Sequence, residues 1–433
     1  MHAELMKNYV TILQEELVPA LGCTEPIAVA YASAKAREVL GVMPQHITVY
    51  CSGNIVKNVK SVTVPNSNGL QGIDAAAILG TVGGSASREL EVLSAVQPEH
   101  IRTTRRLLTE AFCETKLASG VDKLYVRVEA AAEDGSTAAV TLQGHHTNVT
   151  DILKNGQVLF HCDYVGEHSA VRQGDRSLLN VHSILEFADT VPLSEIEPIL
   201  AKQIECNTRI AEEGLTTHYG AGVARALLDT GDTSVFTIAR AKAAAASEAR
   251  MSGCALPVVI NSGSGNQGIT VSVPVIEYVT TYHLSAEKLY RALAVSNLIS
   301  IHLKRFIGDL SAFCGAVTAA CGVGAALAYL DGCGYSGVAD TITNTLAAVS
   351  GIFCDGAKPS CAAKVASALD AAFLSFRMAR HQRAFNPGEG VVGDEVEQTI
   401  RSVGYIGREG MDETDQEILR VMLQPTGTGH EPC

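Results

Sequence analysis

Apolar positions recur at near-helical spacing at the start of the chain. Leu5, Val10, Leu13 and Leu17 predict a helix over 3–19, and an Ala-rich run opened by Pro26 predicts a second over 26–40. From Ile47 the period shortens: 47–51 and 59–64 read as strands, while 72–80 and 98–112 return to helix. Alternation over 124–129 and 138–142 around the turn 133–136 predicts a hairpin, and 157–161 adds a strand after Lys154-Asn155-Gly156. Beyond residue 166 the strand signal fades, and 184–187, 196–213, 221–228, 239–250, 286–302, 310–329, 341–352 and 362–380 all suit helices. The pattern predicts an α+β fold: a mainly helical core domain over 166–433 and a smaller mixed α/β lobe over 46–165. The N-terminal helices of 1–45 are expected to pack on the helical core and carry Cys23. The tail 425–433 is expected to be mobile.

Composition sharpens this picture. With 47% hydrophobic and 18% charged residues over 433 positions, the chain can bury a large core in two or three domains. Gly 39, no Trp and 5% aromatics point to closely packed helices rather than an aromatic-rich sandwich. A net charge of −13 argues against nucleic acid or an anionic membrane as partner. The first residues lack the layout of a signal peptide, so a cytoplasmic location is expected. The uncharged stretch between Asp309 and Asp331 is long enough to span a bilayer. It is rich in Ala, Gly and Cys with Ser311 and Thr318, and no second span accompanies it, which predicts a buried core helix. The same Ala/Gly-rich helices offer faces on which a homodimer can pack.

Twelve cysteines in a reducing compartment serve packing, metal ligation or catalysis rather than a disulfide framework. In Gly22-Cys23-Thr24-Glu25-Pro26 a glycine ends one helical stretch and the next begins, so Cys23 sits at a helix N-terminus, where the dipole favours thiolate. A small buried packing residue is the alternative. Cys314 lies near the start of an Ala/Gly-rich helix, and Cys354 and Cys361 flank the punctuated loop 355–360. No Cys-x-x-Cys occurs, which excludes zinc ribbons and ferredoxin-type runs; the spacing alone leaves inorganic ligation and core packing both open.

Residues 261–268 satisfy Gly-x-Gly-x-x-Gly with Glu287 downstream, but 269–274 reads as a poor helix opening, so a dinucleotide site is rejected. What survives is a turn whose amides and short side chains, Ser262, Ser264, Asn266 and Gln267, suit a small carboxylate; a plain tight turn is the alternative. Ser52-Gly53-Asn54 with Lys57 and Asn58, and the loop 144–148 with His145 and His146, lie at strand ends where binding groups gather. Adjacent histidines on a strand face opposite ways, which favours a loop geometry or a single functional member, with His146 taken as the candidate.

Taken together, the Leu-Gly-Cys-Thr-Glu-Pro-Ile core of 17–30, the run 261–269, Cys-Asp-Gly-Ala within 353–361, Val62-Thr63-Val64-Pro65 and His146-Thr147-Asn148 resemble the L-cysteine desulfidase family. That family is related to the catalytic chain of bacterial iron–sulfur L-serine dehydratases. The resemblance implies a carbon–sulfur lyase that converts L-cysteine to hydrogen sulfide, ammonia and pyruvate with a [4Fe-4S] cluster. It further implies Cys314, Cys354 and Cys361 as cluster ligands and Cys23 as catalytic base; Cys321 and Cys333 do not fit the ligand pattern. On this reading Asn54, Lys57, His146, Ser262, Ser264, Asn266 and Gln267 contact a small amino-acid substrate. L-Serine dehydration, an iron–sulfur sensor without turnover, and a pyridoxal phosphate lyase using Lys358 are the competing readings.

Overall fold

The computed structural model describes residues 1–164, 173–308 and 310–424. The tail 425–433 and the junction between lobe and helical half at 165–172 lie outside the described residues. The N-terminal half runs α1 (Ala3–Glu16), β1 (Pro19–Leu21), α2 (Thr24–Leu40), β2 (His46–Cys51), α3 (Gly53–Val59), α4 (Ile73–Gly83), α5 (Pro98–Thr109), β3 (Cys113–Leu117), β4 (Tyr125–Ala131), β5 (Thr137–Gln143), β6 (Val149–Lys154) and β7 (Gln157–His161). The C-terminal half runs α6 (Val181–Thr190), α7 (Leu193–Thr216), α8 (Val223–Leu228), α9 (Val235–Met251), β8 (Pro257–Val259), α10 (Gly265–Thr281), α11 (Ala286–Ile307), α12 (Gly315–Leu330), α13 (Gly334–Val349), α14 (Cys361–Arg380), α15 (Val396–Tyr405) and α16 (Asp412–Leu423). The fold is α+β with a helical core.

Strands β3-β2-β4-β5-β6-β7 form one mixed sheet, parallel only between β2 and β3. Ile47, Val49 and Cys51 of β2 and Val126, Val128 and Ala130 of β4 point to the same face, the period of two that a half-buried strand requires. That face is covered by α2. The backbone of α4 then approaches so closely that a side chain on Gly80 would stand 2.2 Å from the Ala30 carbonyl. The helical half is built around α12, which is buried along almost its whole length and packs against α10, α11, α13 and α14. No helix among the described residues is long and apolar enough to cross a membrane.

Several expectations need correction. Residues 59–64 are not a strand: Val59 ends α3, which Ser52 caps by accepting the Ile55 amide, and past it the chain turns, with Thr63 making a single isolated bridge to Gln71. Short apolar runs carry no period of their own. The segment 269–274 is helical after all. Thr270 and Ser272 return their hydroxyls to the carbonyls of Asn266 and Gly268, at 2.7 Å each, and burial of α10 overrides its β-branched propensity. The dinucleotide reading is still excluded, because β8 pairs antiparallel with β1 in a separate two-stranded sheet. Within 1–45, α1 and β1 pack into the core of the helical half, while the apolar residues of α2 lie in the core of the lobe. In the opposite sense, α16 crosses from the helical half to lie on α3.

Candidate functional site

Four helices begin at one place. Cys23 is the N-cap of α2, Ser264 the N-cap of α10, Cys314 the N-cap of α12, and Cys361 the first residue of α14. All four residues line a single cavity of about 110 Å³, which Cys354, Lys57, Asn58, Asn266, Gln267, Glu25 and Arg250 also reach. The starts of α2, α10 and α12 contribute amides without intrahelical partners, whereas the first amides of α14 donate to the Lys358, Pro359 and Ser360 carbonyls; all four add a partial positive charge, so their convergence favours anions in the cavity. A larger cavity of about 750 Å³, lined by His182, Arg291 and Tyr335, contains none of the predicted site residues.

Two short segments bring the thiols together. The Cys314 amide donates to the Ile352 carbonyl at 3.0 Å, the Cys354 amide to the Ala312 carbonyl at 2.5 Å, and Phe313 and Phe353 form an antiparallel bridge between them. Gly356 then turns the chain at φ 92° so tightly against α3 that a side chain there would stand 2.4 Å from the Lys57 carbonyl. Cys361 closes the loop, its thiol 3.7 Å from the Gly356 carbonyl. Burial, and beyond it the neighbouring Cys354, pushes the Cys314 thiol up to about 12 and raises Cys361 as well. Among the described residues, no three His, Cys, Asp or Glu side chains close on a single metal ion. The three thiols surround a space instead.

At Cys23 the helix dipole does not win. The thiol donates to Glu25 Oε2 at 3.0 Å, and burial together with the Glu25 charge drives its pKa well above the ordinary value despite Arg250. Burial alone would raise Glu25 too. His146, the thiol proton and Arg250 outweigh that and hold the carboxyl below its usual range. Asn58 Nδ2 donates to Glu25 Oε1 at 2.9 Å, and Thr24 ties this turn to the Gly263 carbonyl at 3.0 Å.

The other predicted residues divide. Ser264, Asn266, Gln267 and Lys57 reach the cavity; Ser262, Asn54 and His146 are not on its wall. Ser262 donates to Asn261 Oδ1 at 3.0 Å, inside the turn. Asn54 donates to Asp415 of α16 on a neighbouring depression. His146 lies against Gly263, close enough for its charge to act on Glu25. Lys57 is ion-paired with Asp415, with both side chains buried, and reaches the Cys354 carbonyl at 3.5 Å. Lys358 is paired with Asp355. Of the two doubtful cysteines, Cys321 is enclosed in the middle of α12 and Cys333 lies past its far end, 3.9 Å from Asp331; neither lines the cavity. Sequence reasoning gave Glu25 no part in the site and passed over Arg250, because the neighbours of Arg250 are distant in the chain.

A profile of the family described as serine dehydratase alpha chain matches residues 87–420. The chain is 51% identical to a UPF0597 protein of Lachnoclostridium phytofermentans, over 97% of this chain and 100% of that one. A UPF0597 protein of Desulfitobacterium hafniense is 49% identical over 96% of each chain, and one of Treponema denticola is 47% identical over 96% of this chain and 98% of that one. Cys314, Cys354, Cys361 and the turn 261–268 fall inside the matched region, while Cys23 and Glu25 precede it. With the match covering most of its length, the chain belongs to the serine dehydratase alpha chain family, a family of lyase type related to iron–sulfur enzymes.

Proposed function

We propose that the protein is an ammonia-lyase that eliminates the β-substituent of a small L-amino acid, with L-cysteine as substrate and hydrogen sulfide, ammonia and pyruvate as products. The observation that carries the proposal is the convergence of three thiols, a fourth thiol on a carboxylate, and four helix N-termini on one cavity. A trio of soft sulfur donors without histidine or carboxylate among them suits iron–sulfur ligation. Cys314, Cys354 and Cys361 would hold a [4Fe-4S] cluster, which when bound supplies a Lewis acid for the charge that develops on the substrate.

The chain's own residues account for the proton. Glu25 accepts the Cys23 proton across the existing hydrogen bond, and the resulting thiolate removes the substrate's α-proton while the Cβ–S bond breaks. The departing hydrosulfide takes up the proton held by Glu25, which returns the Cys23–Glu25 pair to its resting state. The aminoacrylate left behind tautomerises and hydrolyses to pyruvate and ammonia. Ser264 and Asn266 orient the carboxylate at the start of α10.

A second reading, L-serine dehydration, differs only in the leaving group and is favoured by the family to which the chain belongs. Anaerobically reconstituted protein assayed with L-cysteine and L-serine separates the two. Faster pyruvate formation from L-cysteine supports the desulfidase reading, faster formation from L-serine supports dehydration, and none from either refutes both.

A further inference from the structure

We infer that Arg250 binds the α-carboxylate of the substrate, with the N-terminus of α10 as the other half of the clamp. The inference relies on the proposed elimination for the identity of the amino acid, but its test does not depend on turnover. Arg250 lies in the last turn of α9, is 2% exposed, and lines the cavity. Its Nε is buried without a hydrogen-bond partner, and no hydrogen bond or salt bridge to a described residue holds its guanidinium. Glu25 and Cys23 feel its charge without pairing with it.

The guanidinium passes directly over the first residue of α10. A side chain on Gly265 would stand 2.2 Å from Arg250 Nε and 2.5 Å from Cζ, so the glycine makes room for the arginine. Below it, the Gly265 and Asn266 amides precede the first bond of the helix, from the Gly268 amide to the Ser264 carbonyl at 3.0 Å. Ser264 Oγ is already engaged with the Gln267 amide at 3.4 Å.

A cation removed from water with Glu25 near but no carboxylate hydrogen-bonded to it is costly, so its retention beside an open cavity points to an anion that completes it. The planar fork of arginine matches a carboxylate with two parallel hydrogen bonds, and a helix N-terminus recognises the same group through its amides. Lys57, on the same wall, is neutralised by Asp415. An unpaired buried guanidinium and free helix amides thus address one ligand: the α-carboxylate of a small amino acid, set between α9 and α10 with its α-carbon toward Cys23.

The test is calorimetric titration of the reconstituted protein with L-alanine, which has the carboxylate and amine but no β leaving group, and with L-alaninamide, which lacks the carboxylate. Wild type is expected to bind L-alanine more tightly than L-alaninamide. R250Q is expected to weaken L-alanine by about tenfold or more while leaving L-alaninamide unchanged, and R250K to recover part of the loss. Equal affinity of wild type and R250Q for L-alanine overturns the assignment, as does an equal loss for acid and amide. Should R250Q fail to fold, R250K carries the comparison, with a selective loss for L-alanine expected and no change contradicting the inference. If no elimination occurs while the acid–amide difference persists, the reaction is wrong and the carboxylate site stands.

Discussion

Cys23 Sγ and Glu25 Oε2 lie 3.0 Å apart, with the thiol as donor and the carboxylate, steadied by Asn58, as acceptor. The raised pKa of the thiol and the lowered pKa of the carboxyl keep the proton on sulfur at rest. In the proposed elimination the pair acts as one base, the thiol passing its proton to Glu25 only as it takes up the α-proton. Cys23→Ala and Glu25→Gln are each expected to lower pyruvate formation by about 10²- to 10⁴-fold, with iron content unchanged. Since they act as a unit, the double variant should be little worse than either single one. Full turnover by Glu25→Gln would show that the carboxylate only packs.

The three thiols around the cavity have distinct counterparts elsewhere in the same half. Cys314→Ser, Cys354→Ser and Cys361→Ser are each expected to abolish or strongly reduce iron uptake on anaerobic reconstitution. Cys321→Ser and Cys333→Ser, on residues remote from the cavity, should take up as much iron as wild type. Loss of iron from the second pair but not the first would reverse the assignment.

Much of this arrangement could be read before folding. Helices α7, α8, α9, α11, α12, α13 and α14 and the hairpin β4–β5 announce themselves by period, and Cys23, Cys314, Cys354 and Cys361 by their motifs. Three things could not be read. Strands β3 and β6 lack a clear alternation because their sides are largely exposed or half-buried. The ionisation at Cys23 depends on burial and a carboxylate two residues away, and these outweigh the helix dipole that local sequence suggests. Arg250 acquires its place only when α9 crosses the start of α10, a relationship absent from any local window.

The C-terminal helix secures the site from outside. The Asp415–Lys57 pair is buried, and Lys57 in turn reaches the Cys354 carbonyl. Removing one partner strands a charge, so Asp415→Ala is expected to destabilise the fold by about 3–5 kcal/mol in denaturant unfolding, whereas Lys57→Met/Asp415→Leu together should recover much of that loss. A single variant as stable as wild type would mean that solvent reaches the pair.

Glu397 ties three helices together. Its carboxylate accepts the Val181 amide at the start of α6 and His302 Nε2 of α11, each at 2.8 Å, from its place on α15. Burial opposes ionisation, but these hydrogen bonds and the His302 charge outweigh it and lower the pKa below 4.5. A lowered folded-state pKa contributes stability that is present above the unfolded value and lost as pH falls through the folded one. Unfolding free energies of wild type and Glu397→Gln should therefore differ near neutral pH and converge as the pH falls below the unfolded carboxyl's pKa and on through the lowered folded one. A gap that stays constant through that range would contradict the linkage.

The most direct measurement of the central claim is iron content and pyruvate yield on the same anaerobically reconstituted sample. The account predicts about four irons per chain, as one four-iron cluster requires, together with pyruvate release from L-cysteine or L-serine that disappears when iron is removed. A folded protein that takes up no iron while its thiols are reduced, or that forms pyruvate equally well without iron, would contradict it.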